Sequence, residues 1–380
     1  MARSVTERRQ AILEIVQQEG PQVVLELAQR LNISAVTIRR DLEELAGQGL
    51  VHRTHGAVAP VSEHAAAVSD GPKTIGLVVP HSNYYFDGVI AGAKAAAAAA
   101  GARLVLGVSD YDKATEMHQV ARLTNKGVDG LVVAPTPDFV TGELDAEQQE
   151  WLVSLSVPVV LVERQVSSTG AAAILDSVSS AHSAGAALAI RHLSQLGHRK
   201  LACVMIAGPN APQVRSGYLS AVESLGLESL GVIDEGGAGS EDAAELLLQA
   251  VREGATGIFV HNDQLAVRCM MWLEDAGVSV PDQVSLAGYD DVIAGVAHVP
   301  LTAVAPWKSA VGHRAVQRLL TRIAERASAA GSGRPPAETM ATEHLEFIPR
   351  LHVRQSTTKP YVGGPMAELG VAPSMSGRSA

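Results

Sequence analysis

Residues 31–50 read LNISAVTIRRDLEELAGQGL, and VHRTHGAVAP follows over 51–60. Ser34 is a good N-cap for a helix, and Ile38, Leu42 and Leu45 recur within it at the spacing of one buried face. At about 100° per residue, Val36 and Arg40 lie opposite that face and Thr37 and Arg39 flank them. The exposed first half of this helix therefore presents a hydroxyl, a methyl-bearing side chain and two guanidiniums. Arginine bonds guanine bidentately, and Val or Thr methyls meet the thymine methyl. Glu43 and Glu44 come one turn later, where a recognition helix leaves the major groove. Upstream, Thr6 caps a helix expected over 7–18, with Ile12, Ile15 and Val16 on one face and Gly20 as its stop. A second helix over 23–31 buries Val24, Leu27, Ala28 and Leu31, and Asn32 and Ile33 form the turn. Downstream, 50–53 and 57–59 are expected to pair as a short hairpin across 54–56, with Arg53 and His55 at its tip toward phosphates, His52 as a further contact and Thr54 in the DNA-facing turn. The competing reading is a plain three-helix bundle whose arginines are merely solvated.

The remainder has a different character. The chain has 380 residues, 47% hydrophobic and 18% charged, which suits two or three well-filled globular domains. No run approaches the ~18 apolar residues of a membrane span, and the N-terminal residues lack the apolar core of a secretory signal. The two cysteines, Cys203 and Cys269, sit in apolar patterns, so a disulfide framework is not expected and a cytoplasmic location is. The net charge is −10, yet residues 1–59 hold seven Arg against seven Asp and Glu, so the acidity belongs to the rest. Placement of the arginines, rather than bulk charge, carries the DNA argument.

Residues 60–72, PVSEHAAAVSDGP, read as a linker, with a short helix over 63–68 as the alternative. From 73 to 357, strand candidates at 74–79, 103–108, 130–134, 157–162, 200–206, 257–260 and 283–287 alternate with helices near 87–100, 113–126, 182–196, 212–225, 241–252 and 263–276. Repeated βα units give parallel sheets covered on both faces, and two such sets give two lobes with a cleft. Ligands bind beyond the carboxyl ends of parallel strands. That rule selects Tyr84, Tyr85 and Phe86, then Asp110, Thr136, Glu163 and Arg164, then Asn262 and Asp290. Amides, carboxylates and a guanidinium beside aromatic faces suit a polyhydroxylated ligand. For Tyr84 and Phe86 core packing competes with stacking, and Asp290 and Asp291 could instead cap a helix. A loop is expected over 324–338, a closing strand near 343–355, and a disordered tail over 358–380. No nucleophile elbow, zinc-protease, paired-cysteine or phosphate-loop sequence is present, and the thirteen histidines lack metal spacing. No cofactor is expected, and the reading is not of an enzyme.

Two resemblances sharpen this. Residues 8–58 resemble the DeoR-type winged helix–turn–helix through Ser34, Thr37, Ile38, Arg39, Arg40, Asp41, Leu42, Leu45, Gly49, Leu50 and the wing Arg53–Thr54–His55–Gly56. Ala57 stands where a second glycine is usual. The body resembles the periplasmic-binding-protein-like effector domain of the LacI/GalR family, through IGLVVPHSNYYF, GVDGLVVAP, VPVVLVERQ, HLSQLGHRKLACV, GPNAPQVRSGYLSAVESLG, FVHNDQLAV and VSLAGYDDV in order. It implies effector contacts from Arg215, Asn262 and Asp290 first, with Trp307 near a crossover as a lesser candidate. It departs at Ala181–His182, where Asp-Asn is common, at Tyr84 for Pro, and at Glu163 for Asp. No hinge helix is recognisable over 60–72. Together the resemblances imply a homodimeric regulator, a repressor of a double-stranded DNA operator controlled by a sugar-like effector. The alternatives are an activator, a sugar-binding module without DNA regulation, and a sugar-modifying enzyme.

Overall fold

The computed structural model describes residues 5–19, 22–31, 33–47, 51–54, 57–60, 72–236, 243–332 and 341–360. The chain forms two compact units, Met1–Asp70 and Gly71–Ala380.

The first unit runs α1 (Val5–Glu19), β1 (Gln22–Val23), α2 (Val24–Leu31), α3 (Ala35–Gly47), β2 (Val51–Thr54) and β3 (Ala57–Pro60). Ile12 and Val16 of α1, Val24 and Leu27 of α2, and Ile38, Leu42 and Leu45 of α3 form one core with Val51 and Val58. The apolar spacing of α3 thus meets two helices and the hairpin together. Helix α1 starts one residue before Thr6, which therefore lies inside the helix rather than at its cap. The two-residue β1 pairs with β3, making a three-stranded sheet in the order β1-β3-β2; two residues carry no periodicity by which to read a strand. Gly20, Asn32, His55, Gly56 and the stretch 63–68 lie outside the described residues.

Asp41 has a structural role. Its carboxylate is buried and accepts from Arg8 Nε, from Arg8 Nη2 at 3.0 Å and from Arg9 Nε at 3.2 Å, tying α1 to α3. Burial alone would raise its pKa, but the two guanidiniums more than offset this and hold it below the usual range.

The second unit has two lobes. The first holds β4 (Thr74–Val79), α4 (Tyr85–Ala99), β5 (Arg103–Val108), α5 (Lys113–Asn125), β6 (Gly130–Val133), α6 (Ala146–Val153), β7 (Val159–Val162) and β8 (Asp176–Ser180). The chain then crosses into α7 (His182–Leu196), β9 (Lys200–Ile206), α8 (Ala211–Ser224), β10 (Glu228–Glu235), α9 (Ala243–Arg252), β11 (Gly257–Val260), α10 (Asp263–Asp275), β12 (Ser285–Tyr289) and β13 (Thr302–Ala305). It returns through α11 (Lys308–Ser332) and β14 (His344–Phe347) and crosses again to β15 (Arg350–His352). The sheets are ordered β14-β8-β7-β6-β4-β5 and β10-β9-β11-β12-β13-β15, and only the β13–β15 pair is antiparallel within them. Apolar clusters lie on both faces of each sheet. Cys203 and Cys269 are buried free thiols in the second lobe.

Several sequence expectations are corrected. The loop expected over 324–338 is helical through Ser332, because α11 continues to cover the first sheet; the rest of it lies outside the described residues. The single closing strand near 343–355 is two strands, one in each sheet. Residues 358–360 belong to the body: Thr358 N donates to Ser285 Oγ at 2.9 Å and Thr358 O meets His198 Nε2 at 2.9 Å. The remainder of the expected tail is outside the described residues, as is most of the expected linker, whose Pro60 ends β3. Strands β8, β10 and β13 and helices α6 and α11 were not anticipated. β8 reads DSVSS and is fully buried, with Asp176 accepting from Arg322 Nε at 2.7 Å and Ser180 Oγ donating to Glu163.

Helices α4 and α11 approach backbone to backbone. A Cβ on Gly92 would stand 1.9 Å from Ser309 O, and one on Gly312 1.9 Å from Val89 O. Gly92→Ala should therefore destabilise the body by about 1–3 kcal/mol through overpacking, read as a lower Tm; an unchanged Tm would mean the helices separate freely. Asp41→Ala should speed amide exchange in α1 and α3 by the equivalent of about 3 kcal/mol, because two guanidiniums lose their partner. Exchange at the parent rate would remove the ion pair from the head's stability.

Candidate functional site

On α3, Ser34, Val36 and Arg40 are exposed, Val36 at 73%. Ser34 Oγ accepts from Thr37 N at 3.2 Å and lies 2.8 Å from Thr37 Oγ1, so these hydroxyls cap the helix as well as face outward. Arg39 lies on α3, and Arg53 and Thr54 lie in β2. This puts Val36 and Arg40 on the face opposite the buried Ile38, Leu42 and Leu45, as the helical period requires.

In the body, a cavity of about 230 Å³ opens where the carboxyl ends of both sheets meet. Tyr84, Tyr85, Phe86, Glu163, Arg164, Asn262 and Asp290 all line it, so seven of the ten effector candidates converge on one space. Three do not. The Asp110 carboxylate is 75% exposed and pairs with His81 at 3.3 Å. Thr136 is buried and gives both its N, at 2.7 Å, and its Oγ1, at 2.8 Å, to the carboxylate of Glu116. Arg215 pairs with Asp234 in an adjoining cavity. Trp307 stands at the return crossing, where its Nε1 donates to Ile348 O at 3.0 Å and its ring lies under Arg350 at 4.4 Å.

Glu163 directly follows β7 and organises the cavity floor. Its carboxylate accepts from Tyr85 Oη at 2.8 Å, Ser180 N at 3.0 Å and Ser180 Oγ at 3.1 Å, and lies 3.6 Å from His182 Nε2. His182 Nδ1 in turn meets Tyr289 Oη at 2.9 Å, linking the lobes. Burial works to raise the Glu163 pKa, but His182, Tyr85 and Ser180 outweigh it and hold the group below the ordinary range. Arg164 bonds the carbonyls of Pro135 and Glu163 and keeps a buried Nη2 with no protein partner beside the cavity.

Asp290 is presented differently. It and Asp291 adopt φ of 91° and 51°, a left-handed conformation costly for any residue with a Cβ. Asp263 holds the loop in place by accepting from the backbone N of Val292 at 2.6 Å, Ile293 at 2.9 Å and Ala294 at 3.2 Å. Asp291 is taken by His352 at 2.5 Å and Arg354 at 2.7 Å, so it is Asp263 that satisfies this turn. Burial and the charge of Asp263 push Asp290 up to about 7 against the opposing pull of Lys308. The Lys308 ammonium donates to Asp290 O and sits 5.2 Å from the centre of the Tyr85 ring. Asn262 Oδ1 caps α10 through Leu265 N at 2.8 Å, which leaves its NH2 end for the cavity.

His182, Asn210, His261, Tyr111, His81 and Gln264 also line the space and were not anticipated. His261 Nδ1 lies 2.9 Å from Ile206 O and Nε2 lies 3.0 Å from the Asn210 side chain; burial lowers its pKa to about 4, so it is neutral. Extending the strand-end rule to β9 would have found Asn210. His182 follows β8, which was invisible as a strand. Among the described residues no cluster of three or more His, Cys, Asp or Glu could hold a metal ion, and no helix is long and apolar enough to cross a membrane.

An acid whose folded pKa is raised keeps its proton longer when folded, so its cost to stability grows as pH rises toward that pKa and levels off above it. Asp290→Asn should therefore raise Tm over the parent by a margin that widens from pH 4.5 to about 7 and then stays constant. A pH-independent margin would show that Asp290 titrates as an ordinary carboxylate.

Residues 8–64 match the model of the DeoR-like helix-turn-helix domain, and residues 190–357 that of the periplasmic binding protein-like domain. The arabinose metabolism transcriptional repressor of Geobacillus stearothermophilus is 27% identical over 313 residues, spanning 79% of this chain and 84% of that protein. The transcriptional regulator DegA of Bacillus subtilis is 28% identical over 310 residues, or 78% and 84% of the two chains. Among solved structures, the lac repressor dimer bound to operator and the anti-inducer ONPF superimposes with a TM-score of 0.61 at 21% identity, covering 78% of this chain and 98% of that one. A LacI family transcriptional regulator from Enterococcus faecium with bound ribose gives 0.58 at 24% identity, with 76% and 99% covered. Residues 8–64 are thus similar to DeoR-like helix-turn-helix domains and residues 190–357 to periplasmic binding protein-like domains, and the body shares its fold with these solved regulators.

Proposed function

We propose that this protein is a sequence-specific DNA-binding transcriptional repressor whose affinity for its operator is set by a sugar-like molecule held between the two lobes. The observation that carries the reading is the pairing of an exposed recognition face on α3 with a polar and aromatic cavity that closes over the strand ends of two sheets. Val36, Thr37, Arg39 and Arg40 read base edges, Ser34 positions the helix, and Arg53, Thr54 and His55 of the wing meet phosphates. In the cavity Arg164, Asn262, Glu163 and Asp290 bond hydroxyls, while Tyr84, Tyr85 and Phe86 bound the apolar face of the ring. The relatives named repressors support the sign of regulation.

The body works as a homodimer, which brings two heads to two half-sites, and a coupling of about 1–3 kcal/mol between effector and operator suffices for control. It acts in the cytoplasm and catalyses no reaction. The decisive experiment is sequencing of genomic fragments captured by the purified protein, repeated with a panel of sugars. A short enriched site that is lost with one sugar is the expected result. No enrichment under any condition would leave a binding module without a DNA target. Arg40→Ala should weaken operator binding by about 1–3 kcal/mol with sugar affinity unchanged; full operator affinity in that variant would take Arg40 out of the reading set.

A further inference from the structure

A second cavity, of about 710 Å³, adjoins the first and shares Ile206 and Ala207 with it at the end of β9. Its walls come from both lobes. On the first-lobe side stand Phe139, half-buried, and Val140, 86% exposed. They are set on a turn fixed by Asp138 Oδ1, which accepts from Val140 N at 2.9 Å and Thr141 N at 2.8 Å. The turn faces α8, since a Cβ on Gly142 would lie 3.0 Å from Gln213. Across the space, α8 and β10 contribute Leu219 and the Arg215–Asp234 ion pair.

An aromatic series joins the two cavities. His81 and Tyr111, which line the first, meet edge to face at 5.1 Å, and Tyr111 meets Phe139 of the second in the same way at 5.3 Å. Tyr111 holds a φ of 57°, a strained conformation that places its ring between them. The first cavity falls below the ~300 Å³ at which drug-sized sites begin, so it takes one ring. The charged groups of the second are already neutralised, Arg215 by Asp234 and Glu235 by Arg268. That removes any excess charge for a phosphate while keeping donors and acceptors for hydroxyls.

We propose that the second cavity is a subsite for the second ring of a neutral disaccharide, Phe139 and Leu219 covering its C–H faces and Arg215 and Asp234 bonding its hydroxyls. This rests on the sugar-sensing reading above and specifies its ligand class. The test is calorimetric titration of the full chain with maltose, cellobiose, lactose, melibiose, gentiobiose and trehalose, and with glucose and galactose as their single rings. At least one disaccharide should bind tenfold or more tighter than either of its own monosaccharides. Phe139→Ala, and independently the surface variant Leu219→Ala, should each cut that preference at least threefold while leaving monosaccharide affinity unchanged. A monosaccharide binding as tightly as every disaccharide would overturn the subsite, as would a preference that survives both variants. If no sugar binds while the protein still captures a specific DNA site, the sugar reading fails and the subsite with it, an outcome distinct from the other two.

Discussion

Glu163 is a carboxylate taken out of water at the point where the chain passes between lobes, and the rest of the cleft is arranged around satisfying it. A charge in that position costs several kcal/mol unless it is paired and fully hydrogen-bonded. Tyr85 arrives from α4, Ser180 from the end of β8 and His182 from the start of α7, and His182 passes the contact on to Tyr289 in the second sheet. The neighbouring crossings pack on the same place. Ala181 N donates to Phe347 O at 2.9 Å, and Trp307 Nε1 donates to Ile348 O, so all three passages between lobes are joined. A cleft built this way has a defined floor before any ligand enters, which is the preorganisation that binding requires.

The two carboxylates facing the cavity are handled in opposite ways. Glu163 is surrounded by donors and stays ionised, while Asp290 looks toward Asp263 and receives no comparable set. The cleft thus contains one fixed negative group and one that titrates near neutrality. Lys308 moderates the second from the start of α11, and its own ammonium is depressed by burial. Because α11 packs its length against α4 through Gly92 and Gly312, the position of Lys308 is tied to the frame of the first lobe, and its bond to Asp290 O spans the cleft.

The head solves a related problem with the same chemistry. A stretch with three charged residues in a row, Arg39-Arg40-Asp41, places the last of them on the buried side of α3. The aspartate is tolerable there because Arg8 and Arg9 reach it from α1. Two guanidiniums are thereby consumed in folding, and Arg40 is left exposed on the outward face.

Strands 74–79, 200–206 and 257–260 were legible to the residue, because central parallel strands are buried on both faces and read as apolar runs between turn signals, and the half-buried edge strand 103–108 was legible from its own apolar run. The alternation of such runs with helices was enough to determine two lobes and a cleft, and the helical period of 34–45 determined which side of α3 is exposed. Strand β8 was not legible, because DSVSS owes its burial to hydrogen bonds from distant segments such as Arg322 to Asp176. The strand-end rule selected the rim of the cleft, yet Asp110 and Thr136 satisfy it equally well on paper, and the resemblance put Arg215 beside them. Only the tertiary structure decided that Thr136 serves the buried Glu116, that Arg215 faces Asp234 in the second cavity, and that His182 and Asn210 enter the first. Local sequence determines the period and the ends of an element, but which wall a side chain joins depends on partners brought up by chain far away.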